Sequence, residues 1–161
     1  PVHERPESTE GYEGFCMLRD ITGGIEEATM HYIIRDHDDE KFEQKKDRFY
    51  QIAVYLDSIY GEGTVEVEMN DSYFNMRRQI EPVMYIVDRA RSAMERLGIT
   101  PYSVPVRGGT DGARLSYMGL PCPNLCTGGM NFHGRYEYAV VEEMESCARI
   151  LVEILTAPEL G

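Results

Sequence analysis

Tryptophan is absent from the 161 residues and cysteine is scarce: Cys16, Cys122, Cys126 and Cys147, with no CxxC pair among them. Four thiols so spaced make neither a dense disulfide framework nor a zinc knuckle; they read as reduced, mostly buried thiols of a cytosolic protein. Positive charge is in deficit as well, 16 Lys and Arg against 28 Asp and Glu, for a net charge of −12. So acidic a surface repels phosphate backbones and anionic headgroups. Nucleic acid and membrane are therefore not expected partners, while a cationic ligand or a metal stays open. No apolar run approaches bilayer-spanning length, and the opening PVHERPESTEG has no basic and apolar leader. Position 1 is not Met, so a processed chain, or one beginning partway through a longer protein, is expected. Internal repeats and low-complexity stretches are missing, as is a GxSxG nucleophile elbow. What is present is 42% hydrophobic and 27% charged residues with 15 Gly and 8 Pro, ordinary values for one globular domain or two small ones.

The first half reads β-β-α-β. After a polar entry segment expected to be extended, Pro1 to Gly14, a strand is expected at Phe15–Asp20, a turn at Thr22-Gly23-Gly24 and a second strand at Glu27–Asp36. Along that strand Met30, Tyr32 and Ile34 share one face. Asp38 and Asp39 suit a helix N-terminus. Phe42, Phe49, Ile52, Ala53, Leu56, Ile59 and Tyr60 recur at helical spacing until Gly61 and Gly63. Thr64–Met69 alternates, Val65, Val67 and Met69 against Glu66 and Glu68, as a strand with one wet face does. This is a split βαβ sandwich one strand–helix unit short.

Beyond Asp71–Gln79 the pattern becomes α-β-α-β-α. Val83, Val87, Ala90, Met94 and Leu97 form one helical stripe ended by Gly98. Tyr102–Val106 and Pro123–Cys126 read as strands, Asp111–Met118 as a short helix, and Val140–Leu155 as a closing helix with Met144, Cys147, Ala148, Leu151 and Leu155 inward. Such alternation predicts a parallel sheet covered by helices. The fold class is thus α/β, or an α+β fragment, divided at 1–76 and 77–161. Two glycine-rich loops, RGGTDG (Arg107 to Gly112) and TGGMNFHG (Thr127 to Gly134), follow strands and should face one crevice. Arg107 offers a planar fork for a carboxylate, Thr110 a hydroxyl and His133 an imidazole. Equally, glycine pairs after strands can be plain turns, Arg107 can pair with Asp111, and a loop histidine can face solvent.

The stretch VPVRGGTDGARLSYMGLPCPNLCTGGMNFHGRYEYA, Val104 to Ala139, resembles the C-terminal signature of the peptidase T (tripeptide aminopeptidase) group of co-catalytic zinc exopeptidases. STEGYEGF (Ser8 to Phe15), MHYIIRD (Met30 to Asp36) and DSYFNM (Asp71 to Met76) resemble the same group in the same order, so the likeness covers nearly the whole chain. It implies the end of an inserted lid domain followed by the tail of a catalytic domain. Such enzymes hold two zinc ions, and of their ligands only the late histidine has a counterpart here, His133. The resemblance also implies Arg35 as a contact for the peptide's C-terminal carboxylate, unless it pairs with Asp36 or Asp38. It implies Arg107, Gly109 and Thr110 as the loop that cradles substrate near the metals.

No catalytic residue is expected in this chain. Glu26-Glu27 and Glu142-Glu143 imitate the family's general-base pair but fall at a strand start and on the closing helix. His37-Asp38-Asp39 spells the H-x-D ligand pattern, yet it sits where a strand hands over to a helix and reads as a solvated first turn. The resemblance therefore implies the C-terminal portion of a cytoplasmic zinc aminopeptidase acting on tripeptides, inactive alone because a site with one surviving ligand binds zinc weakly. A sheet lacking a strand also predicts self-association through its edge. Two other readings are a non-catalytic dimerisation module derived from the lid and a small hydrolase using His133 and Asp111.

Overall fold

A computed structural model describes residues 3–157; the first two residues of the opening segment lie outside that range. The architecture is mixed, with five α-helices and two short antiparallel sheets among the described residues. The chain divides into two compact units, Pro1–Asn75 with Val104–Thr110, and Met76–Ser103 with Asp111–Gly161. None of the described helices is long and apolar enough to cross a membrane.

In the first unit, strands β1 (Phe15–Gly23) and β2 (Ala28–Arg35) form the expected hairpin. Its turn lies two residues later than predicted: Thr22 and Gly23 are still paired, and Gly24 N–H donates to Glu27 O at 2.7 Å. The register shifts between Leu18 and Asp20, leaving Arg19 unpaired as a bulge. That extra residue has a packing consequence. Leu18 opposes Tyr32 and Ile21 opposes Met30, so residues three apart come to share one face, which a regular strand forbids.

Helix α1 (Asp39–Tyr60) begins where the sequence places it, with Asp38 Oδ1 accepting from Lys41 N–H at 2.9 Å. Tyr32 meets Phe49 edge to face, ring centroids 4.9 Å apart. Between β2 and α1, Lys45 Nζ and Asp36 Oδ2 form an ion pair at 2.9 Å, with side chains only 10% and 2% exposed. From Gly61 the chain returns along α1: Asp57 accepts from Val65 N–H at 3.0 Å, and Lys46 pairs with Asp71 at 3.0 Å. In this run Val65, Val67 and Met69 are half-buried while Glu66 and Glu68 are exposed. The predicted alternation is therefore present, but the strand is not. Among the described residues the run has no ladder partner, and backbone without a partner cannot make a sheet.

In the second unit a short turn, α2 (Arg77–Ile80), leads to α3 (Tyr85–Arg96), which packs on α5 (Val141–Thr156). Ala90 and Ala93 of α3 and Ile150 of α5 are buried, small residues letting the two helices approach. Arg89 donates to Ile154 O at 2.8 Å and to Ala157 O at 3.1 Å, satisfying carbonyls that the end of α5 leaves open. Helix α4 (Asp111–Tyr117) is pinned by the fully buried Ser116, which donates to Gly112 O at 2.7 Å and accepts from Cys122 N–H at 2.9 Å.

Two expectations fail here. The parallel sheet is absent among the described residues: Tyr102–Val106 and Pro123–Cys126 pair with nothing, and the only sheet in this unit is the two-residue antiparallel pairing of β3 (Gly129–Met130) with β4 (Tyr138–Ala139). The buried side of α5 is also turned from the predicted stripe. Cys147 and Ile154 are half-buried beside Ile150, whereas Met144, Leu151 and Leu155 are exposed, the last at 80%. The helix is apolar on more than one face, and α3 covers only one of them.

Candidate functional site

The DSYFNM segment is held against the junction of β2 and α1. Asn75 Nδ2 donates to His37 O at 2.8 Å. This brings the Tyr73 ring under the Arg35 guanidinium, 5.8 Å from carbon to centroid. Arg35 also donates to Ile34 O at 3.0 Å. Neither acidic neighbour neutralises it: Asp36 is taken by Lys45, and Asp38 caps α1. Val104–Thr110 belongs to the same unit, and there Gly109 lies against the Tyr73 ring so closely that a Cβ would collide with it. Only glycine fits. Arg35, Tyr73 and Gly109 thus form one stack, with Thr110 next in the chain. Beside it an open groove is lined by Ile34, Arg35, Asp39, Phe42, Tyr73 and Asn75. A half-buried guanidinium over an aromatic floor is suited to a carboxylate.

Arg107 is placed differently. Its guanidinium faces the opening segment, donating to Thr9 O at 2.6 Å and to Thr9 Oγ1, and lies 4.9 Å over the Phe15 ring. Its Nε is buried without a partner. These contacts fasten the loop that carries Gly109. His37 is half-buried: Nε2 is 3.2 Å from Val106 O, the ring meets Tyr12 edge-on at 5.1 Å, and Nδ1 is buried. The entry segment, expected to be extended, instead turns through a short 3-10 helix at Pro6–Ser8 and supplies Tyr12 to that ring.

His133 belongs to the second unit, whereas Thr110 ends the first. It stands at the tip of the β3–β4 hairpin, which is exposed and built by backbone geometry. Asn131 and His133 take φ of 55° and 63°, a left-handed conformation that Asn and His adopt more readily than most side chains. Gly134 N–H donates to Asn131 O at 2.9 Å, Glu137 N–H to Gly134 O at 3.2 Å, and His133 N–H to Glu137 Oε2 at 3.1 Å. At the foot of the hairpin Gly128, φ 80°, approaches Met144 N of α5, and a Cβ there would sit 2.8 Å from that nitrogen. The imidazole is therefore presented by a defined scaffold. Among the described residues no three His, Cys, Asp or Glu side chains converge on a point that could hold a metal ion, so these residues do not by themselves fit a zinc centre.

Sequence reading missed Tyr73 and Glu137. Tyr73 carries no charge and its motif gave no role. Glu137, four residues past the histidine, was the available signal for a fixed hairpin tip.

No protein-family model matches the chain. It is 54% identical over 155 residues to the peptidase T of Alkaliphilus oremlandii, covering 96% of this chain and 38% of that protein. The peptidase T of Clostridium perfringens strain SM101 matches at 54% and that of Geobacillus kaustophilus at 55%, over the same shares. The chain thus spans about 38% of the length of these curated relatives. Identity at that level across nearly all of its own residues means that, for the stretch it spans, the chain belongs to the peptidase T family.

Proposed function

We propose that the chain is the later part of a cytoplasmic tripeptide aminopeptidase. In this reading Arg35, backed by Tyr73 and Gly109, receives the C-terminal carboxylate of the peptide. Thr110 lies along the substrate, Arg107 holds the loop that presents Gly109 and Thr110, and His133 contributes one ligand to a zinc pair. The other ligands and the general base come from polypeptide outside these residues, and the chain alone is inactive. The observation that carries the reading is the Arg35–Tyr73–Gly109 stack, in which a cation with no carboxylate partner among the described residues overhangs an open groove.

Leu18, Ile21 and Met30 on one sheet face, and Leu151 and Leu155 on α5, are exposed. Association of two copies through the open sheet follows, and a strict monomer by sedimentation across a wide concentration range would argue against it.

A chimera tests the enzyme reading: the matching stretch of the Alkaliphilus oremlandii relative is replaced by this chain. Tripeptide hydrolysis is expected to survive the exchange. His133→Ala should then lower turnover more than about a hundredfold. Arg35→Ala should raise KM about ten- to a hundredfold for the free tripeptide and leave the C-terminally amidated peptide unchanged. Full turnover in His133→Ala, or equal effects of Arg35→Ala on both peptides, would overturn the assignment.

A further inference from the structure

The sulfurs of Cys126 and Cys147 are 3.5 Å apart, although the residues are separated by 21 positions. Cys126 is exposed at the foot of the histidine hairpin, and Cys147 is half-buried on α5. The remaining thiols are elsewhere: Cys16 is buried in the first unit, and the half-buried Cys122 lies beyond Ser116. Thiols in contact at this distance need only a small side-chain rotation to reach the bonding separation of about 2.05 Å. Two sulfurs with no third ligand among the described residues do not make a zinc site.

We propose that Cys126 and Cys147 form an oxidisable dithiol site whose co-reactant is a small disulfide of the glutathione class. The exposed Cys126 thiolate attacks one sulfur of that disulfide. The small S–S bond breaks, and one small thiolate leaves and takes a proton from solvent. Cys147 then gives its proton to solvent and attacks Cys126 Sγ, and the second small thiolate departs and is protonated. Two protein thiols are oxidised to one disulfide while one small disulfide is reduced to two thiols. Cys126 acts first because of access. Burial, and then the Cys126 sulfur beside it, push the Cys147 thiol up to about 11, which leaves little thiolate there at neutral pH. The product ties the foot of the hairpin carrying His133 to α5.

The test is incubation of the full chain in glutathione redox buffers, followed by quenching, alkylation of free thiols and mass mapping. The native chain is expected to lose two hydrogens and retain two alkylatable thiols, with the bridge mapped to Cys126 and Cys147. Its bridge should form with an equilibrium constant at least about tenfold higher than in urea, where the contact is lost. Cys147→Ser, shown to be folded by circular dichroism, should stop at a glutathione adduct on Cys126. A native chain that keeps four alkylatable thiols, a bridge to Cys16 or Cys122, or bridging equal in urea and buffer would each overturn the proposal.

Discussion

At the residue scale, the junction of β2 and α1 carries most of the local energetics. The Asp36–Lys45 pair is nearly dry, and a buried pair owes its value to completeness, since either partner left alone is an uncompensated charge. Asp36→Ala is expected to destabilise the first unit by about 3–5 kcal/mol in denaturant titration. The double replacement Asp36→Leu with Lys45→Met should restore most of that loss. If the single substitution is neutral, the pair does not anchor this junction. The same neighbourhood explains an ambiguity in the sequence. Arg35 lies between acidic residues and could have paired with either, and only the geometry shows both engaged elsewhere, on Lys45 and on the Lys41 amide. The conformation of His133 was not legible, because a positive φ leaves no mark in composition.

At the element scale, legibility follows local punctuation. Helix α1 carries its own start at Asp38 and its own stop at Gly61, and α3 ends at Gly98 with Ile99 N–H donating to Met94 O at 2.9 Å. Those elements depend on neighbours in sequence, and the reading recovered them. Residues 64–69, 102–106 and 123–126 carry strand-like patterns, but a strand is completed by a partner, and the described residues provide none. The face of α5 was misjudged for the same reason: an apolar helix does not say which side a neighbour will take. The consequence is measurable by amide hydrogen exchange. Amides of Glu66 to Asn70 are expected to exchange nearly as fast as free peptide, while those paired between β1 and β2 are protected. Strong protection at 66–70 would mean that a ladder forms in solution.

At the scale of the whole molecule, the net charge is −12 and the residues fall into two compact units. The Arg35–Tyr73–Gly109 stack is contained in the first unit and the histidine hairpin in the second. Among the described residues neither unit brings together three side chains that could hold a metal ion. The most direct measurement is tripeptide turnover by the isolated chain with zinc supplied, read beside zinc affinity by calorimetry. The account predicts no cleavage above background and zinc binding no tighter than a lone imidazole gives. Tripeptide cleavage by the chain alone, abolished by a chelator, would contradict it.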